Sequence, residues 1–188
     1  GPGTLLLTGA NTYSGVTTIT AGQLTVSGSL ADTSTVVVNG GVYDLNAGSD
    51  TVAGVQITAG TIQNGTLTST TAYDVQAGTI SAVLAGTAAL TKTTAGEVLL
   101  TGTNQYSGLT TVDAGKLTLG VDSAIYGMSN VVVNGGELAI GATTQSVGTV
   151  TLVGGLISGT TGSLTGTSYA VEAGTISAVL AGTASLTK

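Results

Sequence analysis

The stretch TTITAGQLTV, Thr17–Val26, reads as a strand, a corner and a second strand. Gly22 follows Ala21. An aliphatic residue, Ile19, stands three positions before the glycine, and Leu24 stands two after it. Thr and Gln fill the positions between. Alternation of apolar and polar residues is what a strand with one inward face requires. A glycine at the step permits backbone angles that other residues resist.

Working outward, the same corner returns along the whole chain. The glycines are Gly22, Gly41, Gly60, Gly78, Gly96, Gly115, Gly136, Gly155 and Gly174, spaced 18 to 21 residues apart. Each is preceded by Ala or Gly. Two residues after them stand Leu24, Tyr43, Ile62, Ile80, Val98, Leu117, Leu138, Ile157 and Ile176, all apolar. Three residues before them stand Ile19, Val38, Ile57, Val75, Thr93, Val112, Val133, Leu152 and Val171, with Thr93 the exception. The residue just after the glycine is free to be polar, as at Gln23, Glu97, Lys116 and Glu137.

One such rung cannot bury its apolar side chains alone, whereas stacked rungs bury a continuous ladder. The pattern therefore predicts an all-β fold: a single-stranded, right-handed parallel β-helix of about nine to ten rungs, each about 19 residues. With rungs about 4.8 Å apart, nine corners give a rod of roughly 40 Å. A β-sandwich is set aside, because it does not need identity at fixed offsets from a glycine.

Composition agrees. Charged residues make up 6% of the 188 residues, against about 25% in a typical domain. Gly contributes 31 residues, Thr is comparably frequent, and 41% of residues are hydrophobic. There is no Trp, Phe, Cys, His or Arg. The expectation is a narrow core of one aliphatic layer per rung, in which bulky rings would break the stacking. Without His and Cys the usual zinc ligands and general base are gone. Without Arg the bidentate phosphate binder is gone. A net charge of −6 disfavours nucleic acid and anionic membranes as partners. No apolar run reaches the length of a membrane-spanning helix, so membrane insertion is not expected. No cofactor is expected.

A longer period overlies the rungs. LLLTGANTYSG (Leu5–Gly15) returns as VLLTGTNQYSG (Val98–Gly108), and AGTISAVLAGTA (Ala77–Ala88) returns at Ala173–Ala184. The chain is two copies of a unit of about 95 residues, 1–95 and 96–188, expected to form one continuous solenoid without a linker. Gly1-Pro2 looks like the scar of a cleaved tag, and the repeat is expected to continue beyond Lys188.

GTLLLTGANTYSGVTTITAGQLTV (Gly3–Val26) and GEVLLTGTNQYSGLTTVDAGKLTL (Gly96–Leu119) resemble the passenger-associated transport repeat, also called the autotransporter-associated β-strand repeat. The likeness rests on Gly9, Asn11, Tyr13, Gly15, Thr17 and Gly22, then on Gly102, Asn104, Tyr106, Gly108, Thr110 and Gly115. The segment between them resembles spacers of large haemagglutinin-like adhesins. The resemblance implies type V secretion from a Gram-negative bacterium, an extracellular or cell-surface β-helical passenger, and an outer-membrane translocator elsewhere in the full-length protein. It supplies no catalytic residues. The function it implies is a structural, non-enzymatic stalk whose rung-by-rung folding assists secretion. The alternative is a binding module whose lateral face contacts carbohydrate, a host surface or neighbouring fibres.

Candidate sites are few. Asp44 and Asp50 bracket the turn DLNAGSD, where calcium is conceivable but does not repeat in the second copy. Glu97 and Glu137 fall on equivalent positions with Lys116 between them, which reads as a charge-balanced outer face rather than a glycosidase pair. An ice-binding Thr array fails because Gln23, Val42, Thr61, Thr79, Glu97 and Lys116 follow one another outward. Asn11 and Asn104 are expected to bond local backbone, with Tyr13 and Tyr106 covering an apolar edge. The loop 120–130, with Tyr126 and Met128, reads as a tolerated insertion making a surface bump. Unpaired edges at both ends predict end-to-end self-association.

Overall fold

The computed structural model describes all residues, 1–188, and contains no helix. The chain winds as a parallel β-solenoid of about ten turns with about 19 residues per turn. This is the fold that the glycine period predicts.

Each turn crosses two long faces and one shorter one. The first face stacks Thr4–Leu7 on Gln23–Val26 and, further along, Glu97–Leu100, Lys116–Leu119, Glu137–Gly141 and Leu156–Gly159. The second stacks Val16–Ile19 on the start of a 41-residue strand, Thr35–Val75, which runs on around the corners. Ala89–Lys92, Thr110–Val112, Val131–Val133, Thr149–Leu152 and Ser168–Val171 continue it. The third face is built by Thr144–Ser146, Ser163–Thr165 and Val179–Ala181, and by Val83–Ala85 against residues 66–68. Every pairing is parallel, as successive turns of one winding require.

The inward positions join 38 buried residues into one core. Leu24, Tyr43, Ile62, Ile80, Val98, Leu117, Leu138 and Ile157 are all buried, as are Ile19, Val38, Ile57, Val75, Val112, Val133 and Leu152. Burying such side chains supplies roughly 1.5–3 kcal/mol each against an exposed state. The corner is tight for a visible reason. Gly60 has φ +96°, and a Cβ there would lie 2.2 Å from the carbonyl oxygen of Gly41 on the preceding rung. Only glycine meets both demands.

Three details differ from the sequence reading. The first concerns register. Ile80 stacks on Leu100, and Gly78 on Val98, so the ladder slips by two residues between Gly78 and Gly96. A Cβ on Gly96 would meet Ala77 Cβ and Gln76 O instead of Gly78. The reason is a longer corner. Val75 reaches Gly78 in three steps, but Lys92, which occupies the next inward position, reaches Val98, the partner of Gly78, in six. From Glu97 onward the ladder runs regularly again, pairing Glu97, Lys116, Glu137 and Leu156.

The second detail follows from the first. The inward residue of that rung is Lys92, paired with Val112, whereas Thr93 is exposed. Lys92 is fully buried, and its Nζ donates to the carbonyls of Thr94 and Ala114 and to Thr94 Oγ1. Its stem lines the core while its ammonium fills the widened corner. Burial lowers its pKa.

The third detail is the core's content. It is not purely aliphatic, because Tyr43, Tyr73, Tyr106 and Tyr169 are buried. The rings are admitted where their hydroxyls reach a corner. Tyr73 OH takes the Ser69 N–H at 2.8 Å and lies 2.7 Å from the carbonyls of Leu67 and Ala85. Tyr169 repeats this with Gly166 N–H, Leu164 O and Ala181 O.

Candidate functional site

The transport motif lies on irregular backbone between the first and second faces. Asn104 is 2% exposed. Its Oδ1 accepts the N–H of Leu84 on the preceding rung at 2.8 Å. Its Nδ2 donates to Ala124 O on the following rung at 2.7 Å. The side chain therefore bridges three rungs, which corrects the expectation of a local backbone bond. Asn11, on the first rung, donates to Ser29 O on the next rung and also to Gly9 O, both at 2.9 Å.

Tyr106 is fully buried, packs at 6.0 Å between ring centroids against Tyr73, and bonds Thr110 Oγ1 at 2.7 Å. It is a core residue rather than a cover on an edge. Burial drives its pKa well above the ordinary tyrosine value. Tyr13 makes the same bond to Thr17 at 2.8 Å but is 44% exposed. A Cβ on Gly108 would lie 2.2 Å from Ala88 O, while Gly15 has nothing within 4 Å.

The bridging column continues with other side chains. On the next polar rung of the second copy, Gln145 Oε1 takes the Ile125 N–H at 3.4 Å and its Nε2 donates to Val121 O at 2.7 Å. In the first copy the matching residue is Asp50, whose Oδ1 takes the Leu30 N–H at 3.1 Å and whose Oδ2 takes the Tyr43 hydroxyl at 2.7 Å. Desolvation raises the Asp50 pKa against the lowering effect of these bonds. Asp44 sits elsewhere, on the outward side of its strand, where the Gln23, Gln63 and Asn64 side chains cover it to 7% exposure. Burial acts to raise its pKa, but donors from Gln63, the Asn46 N–H and Asn64 prevail and hold it below the usual carboxylate value. Gln23 adds a further donor at 3.1 Å. The structure thus gives the two aspartates separate partners rather than a shared centre.

Glu97, Lys116 and Glu137 stand in one outward column on successive rungs. Lys116 Nζ is 3.6 Å from Glu97 Oε1, which also accepts from Thr118 at 2.6 Å. That Thr118 bond holds the Glu97 pKa down. Glu137 accepts from Ser158 at 2.6 Å. In the loop 120–130, Ala124 and Ile125 are buried, while Met128 is 73% exposed beside an open hollow lined by Gln105, Ser107 and Tyr126.

Sequence reasoning missed the bridging role of Asn104 and the clamp by Tyr73 and Tyr169. A signal for the clamp exists in the recurrence of AYDVQAG as SYAVEAG at an offset of 96 residues from Tyr73 to Tyr169.

With this geometry, the chain is a parallel β-solenoid whose polar motif binds rung to rung. The passenger-associated transport repeat matches residues 1–26 and 90–119, and the chain carries two copies of it. It is also similar to the adhesin BmaC autotransporter of Brucella suis biovar 1 (strain 1330), at 37% identity over 140 residues. That match covers 71% of this chain but 4% of the length of the adhesin. No solved structure matches the chain. The repeat and the autotransporter likeness define a secreted or cell-surface protein of Gram-negative bacteria.

Proposed function

We propose that this segment is a structural, non-catalytic stalk of an extracellular adhesin, exported through an outer-membrane translocator carried elsewhere in the full-length protein. One observation carries the reading. Five polar side chains along the rod are bonded within the stack: Asn104, Asp50 and Gln145 to backbone of adjacent rungs, and Glu97 and Glu137 to neighbours on their own face. A rod whose polar groups serve its own register transmits length and stiffness rather than converting a substrate. The two copies act as one rod, because strands on either side of residues 95 and 96 pair directly.

Export follows from the same stacking. Each completed rung offers an open strand edge on which the next can form, so folding outside the cell propagates along the chain and hinders its return. The test is secretion of a passenger carrying Asn104→Ala and Gly108→Leu. Surface display falls if stacking assists export, and unchanged display contradicts that role.

A second reading has one observation in its favour. An open cleft of about 470 Å³ on the first copy is lined by polar groups, including Asp44, Asn46, Asn64 and Ser81. Its occupant would be a carbohydrate or another polyhydroxyl surface. A glycan array and a host-cell binding assay with this chain separate the two: specific binding lost in Asn64→Ala favours the module, and none favours the stalk.

A further inference from the structure

The corner between the first and third faces is built differently in the two copies. Leu45, Asn46 and Ala47 match Ile140, Gly141 and Ala142, and Asn64 matches Gly159. Gly141 turns the chain at φ +55°, and Asn46 turns it at +49°. The turn therefore does not need an asparagine. Ala47 adds a second left-handed step at +61°, which Ala142 does not take, and Asn64 stands at +57°. Three of the four non-glycine residues with left-handed φ thus meet at one place. L side chains resist this region, and Ala47 has no polar group to compensate.

The open cleft lies at this place. It measures about 470 Å³, against about 250 Å³ for the hollow at Gly141 and Gly159. Asp44 in its wall is fully engaged. Its Oδ1 takes the Asn46 N–H at 2.8 Å, and its Oδ2 takes the amides of Gln23, Gln63 and Asn64 at 3.1, 2.9 and 3.0 Å. No second acid lines the cleft, so a metal ion has no ligand set there.

Other groups are open. Asn46 and Ser81 are exposed, and their side chains bond nothing in the protein. Asn64 gives one N–H to Asp44, which leaves its carbonyl oxygen and second N–H without partners. A side-chain amide offers donor and acceptor together, which matches adjacent hydroxyls on a sugar ring. Ala47 and Val83 supply a small apolar surface for the ring's C–H groups. No cation lines the cleft, and the chain has no Arg. The ionised Asp44 therefore repels an acidic ligand with nothing to offset it.

We infer that this cleft takes a neutral hexose unit through Asn46, Asn64 and Ser81, and turns away uronic and sialic acids. The inference rests on the binding reading of the cleft given above and adds the class of sugar.

The test is a titration of the isotope-labelled chain followed by NMR. The probes are the methyl glycosides of glucose, galactose, mannose and N-acetylglucosamine, with glucuronate and N-acetylneuraminate as acidic comparators at matched ionic strength. An open cleft without an aromatic wall implies a Kd on the order of 1 mM, so each probe is taken to about 50 mM. At least one neutral glycoside should give saturable shifts at Asn46, Asn64 and Ser81. The acids should bind about tenfold or more weakly. Asn46→Gly copies Gly141, so the far-UV circular dichroism stays while affinity falls about tenfold or more. Asp44→Asn should narrow the gap between neutral and acidic sugars. No saturable shift with any neutral glycoside overturns the inference, and silence of the acids as well overturns the binding reading with it. Cleft shifts with the acids at equal affinity, an unchanged gap in Asp44→Asn, or undiminished affinity in Asn46→Gly each overturns the inference and leaves the binding reading standing.

Discussion

Asp50 and Gln145 hold matching places in the two copies and do the same work, accepting a backbone N–H from the rung before. An amide suffices for that bond, so the Asp50 charge is a cost of burial rather than a requirement. Because its folded pKa is raised, the penalty applies above that pKa and disappears as pH falls to the ordinary carboxylate value of about 3.9. Asp44 has the opposite sign. Its folded pKa is lowered, so its stabilisation is present above the ordinary value and is lost as pH falls through the lowered one. Urea midpoints measured from neutral to acid pH check both. Asp50→Asn stays within about 1 kcal/mol of the original at neutral pH and loses the gain on acidification. Asp44→Asn loses the acid-induced decline. A fall of several kcal/mol for Asp50→Asn at neutral pH would contradict the shared role. The aspartates could not be sorted from sequence, because DLNAGSD shows two acids near a turn but not which one the winding directs inward.

At the scale of the rung, buried hydroxyls and amides fasten the corners. Tyr73→Phe leaves the Ser69 N–H and the carbonyls around it unpartnered, and should cost about 1–3 kcal/mol. The Tyr73 pKa is pushed up to about 12 by burial. Its contribution is therefore whole below the ordinary value near 10 and is lost as pH rises through about 12, which an alkaline unfolding series on the original and the variant reads out. Asn104→Ala should cost about 1–3 kcal/mol, because it orphans Leu84 N–H and Ala124 O on two different rungs. Asn11→Ala should cost less in the monomer, since Asn11 reaches only the following rung. Equal losses would show that the bridge is not the source. The glycine period carried the strands and their inward faces into view from sequence alone. The bridges stayed hidden because their partners lie about 20 residues away and are backbone groups, which leave no mark on residue identity. The slip at Lys92 stayed hidden because a lysine in an inward slot contradicts the apolar pattern, and Thr93 beside it fits the count from Gly96 equally well.

For the whole molecule, the stack is one-dimensional, and each rung meets only its neighbours. Damage at the middle should therefore divide the rod, while damage at an end should shorten it. Gly108→Leu places a side chain against Ala88 O and is expected to lower the thermal midpoint strongly, whereas Gly15→Leu leaves it nearly unchanged. The central claim is that the two copies form one straight stack. Thr18 and Ala170 are exposed on the second face, eight rungs apart along one column. Spin labels on Thr18→Cys and Ala170→Cys, measured by pulsed dipolar spectroscopy in dilute solution, should give a single narrow distance near 38 Å, from about 4.8 Å per rung. A broad distribution, or a separation near half that value, would mean that the copies fold apart or pack side by side, and would contradict the continuous rod.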